Sequence, residues 1–310
     1  MSVTGLEARV AALSCWRGKV TLAPLAGGFS NTAFVVDDGR GRYVARCGGD
    51  IPVHHVFRNR ECAASIAAHL AGLSPELVHS EPGVMVVRYV EGRTLAEPDL
   101  SANLERIVGL LTTCHSTLAR HLAGPAGAFW VFDAIRDYAR TLRTARAAGP
   151  LLRYEGVVDA LEATQAPLPM VFGHHDLLPG NFIDDGKRLW LIDWEYAGFG
   201  TAMFDLANLA TNGAFTADDD VRLLEAYFGS PVRSEIRRSF DAMKVASALR
   251  EAAWAMVSGI HLALPGVDYS GHAALYLRRT DAALAQYAER HGPLQSSTDL
   301  SLENPKPWPP

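Results

Sequence analysis

The sequence predicts an α+β chain in two lobes, a small β-rich N-terminal lobe followed by a larger, mainly helical C-terminal lobe. Three observations carry this. Short β-branched or aromatic runs separated by turn residues fill the first ninety positions. Helical periodicity takes over beyond Gly92, where Leu104, Ile107, Leu111, Cys114, Leu118 and Leu122 recur at spacings of 3, 4, 3, 4 and 4. A length of 310 residues with 48% hydrophobic content supports one or two packed units. The expected division is 1–90, 91–290 and a Pro-rich tail at 291–310.

Val20 to Leu25, Thr32 to Val36 and Tyr43 to Arg46 read as strands. Gly27-Gly28 separates the first two, and Asp37-Asp38-Gly39-Arg40-Gly41 the next two. Val56 to Ala71 is Ala-rich, with Ile66 and Leu70 at i, i+4, and reads as a helix. Glu76 to His79 and Val84 to Tyr89 are strands around Glu81-Pro82-Gly83, and a hinge follows near 88–93. Ser101 fits the N-cap of the 104–122 helix. Phe132 to Arg146 is a further helix, Ala246 to Ile260 another that Pro265-Gly266 stops, and Gly271 to Ala288 the last. The tail from Gln295 has four prolines and several small polar residues, a composition that buries little.

Net charge is −5 and the isoelectric point about 6.1, which does not fit a nucleic-acid binder. Cys15, Cys47, Cys62 and Cys114 lack paired spacing and read as reduced thiols. Glu7 and Arg9 interrupt the N-terminus, so no signal peptide is expected. The longest apolar stretch, Ala252 to Val267, is broken by His261 and Pro265 and is too short for a bilayer. A cytoplasmic protein is expected, monomeric or homodimeric, without membrane or nucleic-acid partners. The adjacent histidines His54 and His55 read as a solvated loop pair.

The segment from Val171 to Gly198 concentrates the chemistry. Asp176 is followed five residues later by Asn181, and an apolar run from Leu189 to Ile192 leads into Asp193. Phosphoryl transfer uses such a set: one carboxylate orients a hydroxyl, while an amide and a second carboxylate hold Mg²⁺ against nucleotide phosphates.

The pattern His-x-Asp-x-x-x-x-Asn from His174, then Ile-Asp-Trp-Glu-Tyr from Ile192, resembles the aminoglycoside phosphotransferase and choline kinase superfamily, whose fold is protein-kinase-like. Gly27-Gly28-Phe29-Ser30-Asn31 and Glu91-Gly92-Arg93-Thr94-Leu95 are similar to runs of its choline and ethanolamine kinases. The resemblance implies ATP and Mg²⁺ as cofactors and a small-molecule alcohol such as choline or ethanolamine as substrate. It implies Asp176 as catalytic base, Asn181 and Asp193 as metal ligands, and His174 and Asp205 as structural support. Gly28, Ser30, Asn31, Arg46, Glu61 and the hinge residues Tyr89 and Val90 would meet the nucleotide. Trp254, Tyr196 and Tyr269 would cage a substrate cation by cation–π contact, with Glu195 as counter-charge.

Three departures thin that cage. Val257 stands where a second Trp is expected, His272 where an aromatic is common, and the stretch from Asn208 to Phe215 lacks an acidic residue. A thin cage suits a smaller or different amine, or another alcohol. An aminoglycoside- or thiamine-type kinase is an alternative, although the few acidic residues around Tyr196 and after Asp205 weigh against a polycationic substrate, and a catalytically silent nucleotide-binding scaffold is another.

Overall fold

The computed structural model describes residues 3–25, 31–264 and 266–294. The readings of Gly27 to Ser30, including the phosphate-loop roles of Gly28 and Ser30, and that of the tail from Gln295 lie outside them.

The N-terminal lobe is an antiparallel sheet of β1 (Thr21–Leu25), β2 (Thr32–Asp37), β3 (Arg42–Cys47), β4 (Leu77–Glu81) and β5 (Val84–Arg88), in the order β1-β2-β3-β5-β4. Strand alternation sorts its side chains. Phe34, Val36, Tyr43, Ala45, Cys47, Val84 and Val86 form the core of this lobe. The opposite parity, with Ala33, Val44, Arg46, Met85 and Val87, lines a cleft. Helix α1 (Val3–Ala11) closes the core with Val10. It was not expected, because its short run has only a weak apolar stripe.

Helix α2 (Arg58–Leu70) lies between β3 and β4 in the chain. Its Ala64, Ala67 and Ala68 are fully buried in the core of the other lobe, so α2 sits at the seam. His54, just before it, is not solvated: it is 1% exposed, with Tyr138 Oη 3.2 Å from Nδ1 and Ser258 Oγ 2.9 Å from Nε2. Only His55 of that pair faces outward, 2.8 Å from Asp137. Two neighbouring loop side chains point apart, and the 3₁₀ turn Pro52–His54 turns His54 inward.

The C-terminal lobe contains β6 (Arg93–Thr94), α3 (Glu97–Ala102), α4 (Leu104–Thr117), α5 (Val131–Thr144), α6 (Val157–Ala163), β7 (Met170–Gly173), β8 (Phe182–Asp184), β9 (Leu189–Leu191), β10 (Gly198–Thr201), α7 (Ala202–Asn212), α8 (Ala217–Phe228), α9 (Ser234–His261) and α10 (Tyr269–His291). It holds two small sheets, β6-β8-β9 and β10-β7, and the first reaches the cleft through Thr94 and Ile183.

The expected N-cap Ser101 lies inside the short helix α3, its hydroxyl donating to Pro98 C=O. The chain instead breaks at Asn103 before α4, and the Asp99 carboxylate caps α3 by accepting from the Ala96 N–H at 2.8 Å. Leu104, Ile107, Leu111, Cys114 and Leu118 are fully buried along one face. Helix α9 begins earlier than the periodicity shows, because Arg237, Arg238, Asp241 and Lys244 interrupt the apolar pattern of its first turns. It packs against α10, α7 and α5 as the axle of the lobe. Among the described residues, no helix is long and apolar enough to cross a membrane.

Candidate active site

A cavity of about 650 Å³ separates the lobes. Its roof comes from the cleft face of the sheet. Its floor is the segment from Asp176 to Tyr196, and its far wall is Arg250, Glu251, Trp254 and His272.

The floor is built by a hairpin. β8 pairs with β9 through Phe182↔Leu191, and one step further the Ile192 N–H donates to Asn181 C=O at 2.9 Å. That register sets Asn181 beside the residue that precedes Asp193. Asp193 has φ +69°, a left-handed conformation that turns the chain sharply out of the strand. Asp176 precedes the hairpin, and the Asn181 Nδ2–H donates to its carbonyl at 2.7 Å and to its carboxylate at 3.3 Å.

His174 joins these parts. The Asp176 N–H donates to His174 Nδ1 at 3.2 Å, which assigns the ring proton to Nε2, and Nε2–H donates to Ile192 C=O at 2.9 Å. Burial keeps the ring below its ordinary pKa and therefore neutral. Asp205, at the start of α7, accepts from the backbone N–H of His174 at 2.9 Å and of His175 at 2.7 Å, and lies 2.8 Å from His115 Nε2. Burial works against its charge, but the neighbouring His175 and His115 hold its pKa below the ordinary value. His175 is buried with φ +64° and stacks on Phe129 at 4.6 Å. Gly173 and Gly200 leave space for it: a Cβ there would lie 2.6 and 3.0 Å from His175 Nε2.

Strand parity sends Arg46 from the roof toward the floor. Nη1 donates to Glu61 at 2.7 Å and Nη2 to Asp193 at 2.7 Å. Burial disfavours its charge, yet Asp193, Glu61 and Glu195 more than offset this and raise its pKa. Arg58, not singled out from the sequence, donates to Glu61 at 2.5 Å and to Glu195 at 2.9 Å. Glu195 is thus set beside the two arginines. Burial, then Asp193, pushes its carboxyl up to about 7.

Glu61, Asp193 and Glu195 offer oxygens within 4.8 Å of one another. This grouping shares only Asp193 with the metal pair expected from the sequence. The expected pair fits a hard divalent cation by its chemistry. The Asn181 nitrogen is engaged with Asp176, so its oxygen is the atom left for a cation, and the Asp193 carboxylate keeps lone pairs beyond the one that faces Arg46.

At the hinge, Tyr89 and Val90 line the cavity, but the Tyr89 N–H is engaged, donating to Arg42 C=O at 2.9 Å. The Arg42 guanidinium stacks 4.1 Å over the Tyr89 ring. Asn31 lines the cavity beside β2.

At the other end the Trp254 Nε1–H donates to Tyr196 Oη at 2.9 Å. Tyr269 meets Trp254 edge-on at 6.2 Å and is not among the cavity-lining residues. Arg250 and Glu251 were missed from the sequence. The signal was there: two adjacent charges inside a run from Val245 to Val257 that is apolar apart from Ser247 must be buried together. Asp176 is 8% exposed, and burial, then the Glu251 charge, raises its pKa. Burial would raise Glu251 too, but Arg250 overrides it and keeps Glu251 ionised.

A β-roof over a helical lobe, with a carboxylate–amide–carboxylate floor and an arginine bridge between them, defines a protein-kinase-like phosphotransferase fold. The profile of the phosphotransferase enzyme family matches residues 21–239, and the chain belongs to that family. It is similar to a choline/ethanolamine kinase family protein from Mesorhizobium loti, with TM-score 0.72 and 29% identity, covering 92% of this chain and 95% of that one. Protein LicA from Haemophilus influenzae is 26% identical over 212 residues, 65% of this chain and 61% of LicA. A probable ethanolamine kinase from Arabidopsis thaliana is 29% identical over 171 residues, 49% of this chain and 44% of that protein. The chain thus aligns with less than two thirds of either curated relative.

Proposed function

We propose that this chain is an ATP- and Mg²⁺-dependent phosphotransferase that phosphorylates the hydroxyl of a small amino alcohol of the choline or ethanolamine kind. One observation carries the reading. A single cavity is lined by the hinge residues, by Arg46 and Asp193, and by a buried carboxylate, Asp176, together with Tyr196 and Trp254. The likeness to a choline/ethanolamine kinase family protein and to a probable ethanolamine kinase supports the amino alcohol.

In this reading the adenine lies under the sheet against Tyr89 and Val90. Arg46 holds phosphate oxygens, positioned by Glu61. Asp176 orients the acceptor hydroxyl. A bond forms between that oxygen and the γ-phosphorus, the bond to the β-bridging oxygen breaks, the hydroxyl proton passes to Asp176, and ADP leaves. Asn181 and Asp193 would hold Mg²⁺, which supplies positive charge to the phosphates. Most of the acceleration comes from alignment and preorganised charge.

The test is ATP consumption by the parent chain and by Asp176→Asn across choline, ethanolamine, thiamine and kanamycin. Amino-alcohol-stimulated turnover that Asp176→Asn abolishes supports the reading. A parent chain that no alcohol stimulates overturns it.

A further inference from the structure

The acceptor end of the cavity holds more charge than a trimethylammonium site uses. Helix α9 carries Arg250 and Glu251 into it side by side, their side chains 2% and 3% exposed. Arg250 Nη1–H donates to Glu251 Oε1, and Nη1 lies 3.8 Å from Asp176 Oδ1. His272 Nε2 stands 3.8 Å from Glu251 Oε2. The guanidinium also covers the Tyr196 ring, 4.4 Å from its centroid.

Two things follow. A quaternary ammonium has no N–H and depends on aromatic faces. Here a protein cation already covers the Tyr196 face, and like charge repels a second one. In addition, Nε and Nη2 of Arg250 are buried without a hydrogen-bond acceptor. Together they form the side-on edge of the guanidinium, which matches the two oxygens of a carboxylate. Buried donors left unpaired select strongly for a ligand that pairs them. Both atoms are enclosed, so a ligand reaches them only with a side-chain shift, and Tyr196 is the wall residue stacked on them.

Resting on the amino-alcohol kinase reading above, we propose that Arg250 and Glu251 select an acceptor that keeps its N–H groups and carries an oxygen acceptor beside them, best a carboxylate. A hydroxylated amino acid has this chemistry and a trimethylammonium alcohol does not. The amine N–H groups donate to Glu251, and the oxygen accepts from Arg250.

The test uses four alcohols that differ by one group: ethanolamine, choline, serinol and serine. The expected order of kcat/KM places serine, or serinol if a neutral oxygen suffices, about tenfold or more above ethanolamine, with choline lowest. Arg250→Met brings the serine-to-ethanolamine ratio to about one, and Arg250→Lys, which keeps charge but loses the fork, leaves it between. The ratio is insensitive to general damage. If Arg250→Met does not fold, the pair Arg250→Met and Glu251→Met removes both charges together. Preference for ethanolamine or choline over both oxygen-bearing alcohols overturns the proposal, as does a ratio unmoved by Arg250→Met. If no alcohol is turned over, the kinase reading fails separately. Thermal stabilisation by serine then decides the pocket: a shift in the parent chain that Arg250→Met loses supports it, and no shift overturns it.

Discussion

Arg46 on β3 and Asp193 after β9, 147 positions apart, meet at 2.7 Å across the cleft. The other arm of the same guanidinium donates to Glu61 on α2. One side chain therefore connects the roof to both the floor and the seam helix. A fork can do this and a point charge cannot. Arg46→Lys is expected to raise KM for ATP about tenfold, the loss of one charge-assisted hydrogen bond, while KM for the alcohol moves little. Steady-state kinetics with each substrate varied in turn checks the split. Equal changes in both constants would contradict the phosphate role.

Asp176 is braced by Asn181 and lies in the field of Glu251 and Arg250. Asp176→Asn keeps the shape and removes the proton acceptor. Turnover should fall by roughly 10²–10⁴-fold. Stabilisation by Mg-ATP should persist, about 2.7 kcal/mol at a hundredfold excess over Kd. Single-turnover rates and nucleotide-dependent melting separate the two effects.

Acid should weaken this fold through His54. Burial, followed by the charges of Arg250 and His261, pushes its pKa from 6.5 down to about 3. The neutral ring is the folded form, so its contribution is complete above pH 6.5 and is lost as pH falls toward 3. Within that window the slope is about 1.4 kcal/mol per pH unit. Urea unfolding between pH 7 and pH 4 measures it, and His54→Gln should flatten the dependence by about one proton.

Gly173 has no room for a side chain. A Cβ there would lie 2.6 Å from His175 Nε2 and 2.8 Å from Asp205 Oδ2. Gly173→Ala should cost about 1–3 kcal/mol through overpacking and should lower turnover by displacing the segment that carries Asp176. Gly109, inside α4, has nothing within 4 Å, so Gly109→Ala should stabilise by about 0.5–1 kcal/mol. Chemical denaturation of both variants checks the contrast.

What could be read in advance was local or periodic. Asp176, Asn181 and Asp193 lie within one short hairpin segment, so sequence spacing nearly determines their spatial arrangement. Arg46 follows from strand parity. What escaped depends on contacts between distant segments. Glu195 meets Arg58 over a separation of 137 residues, and Arg250 comes to Asp176 from a helix far along the chain. His54 looked solvated because its partners, Tyr138 and Ser258, belong to α5 and α9. Helix α1 has too few apolar positions to show a period, and its place is decided by the sheet beneath it.

Ala64, Ala67 and Ala68 are seated among the residues of the lower lobe. Helix α2, which carries Glu61 and Arg58, packs on β4 of the sheet as well as on the lower lobe. If the sheet swings upward like a visor, Arg46 parts from Asp193, which belongs to the floor. Mouth opening and release of the triphosphate grip would then be a single mechanical event, coupled through one side chain.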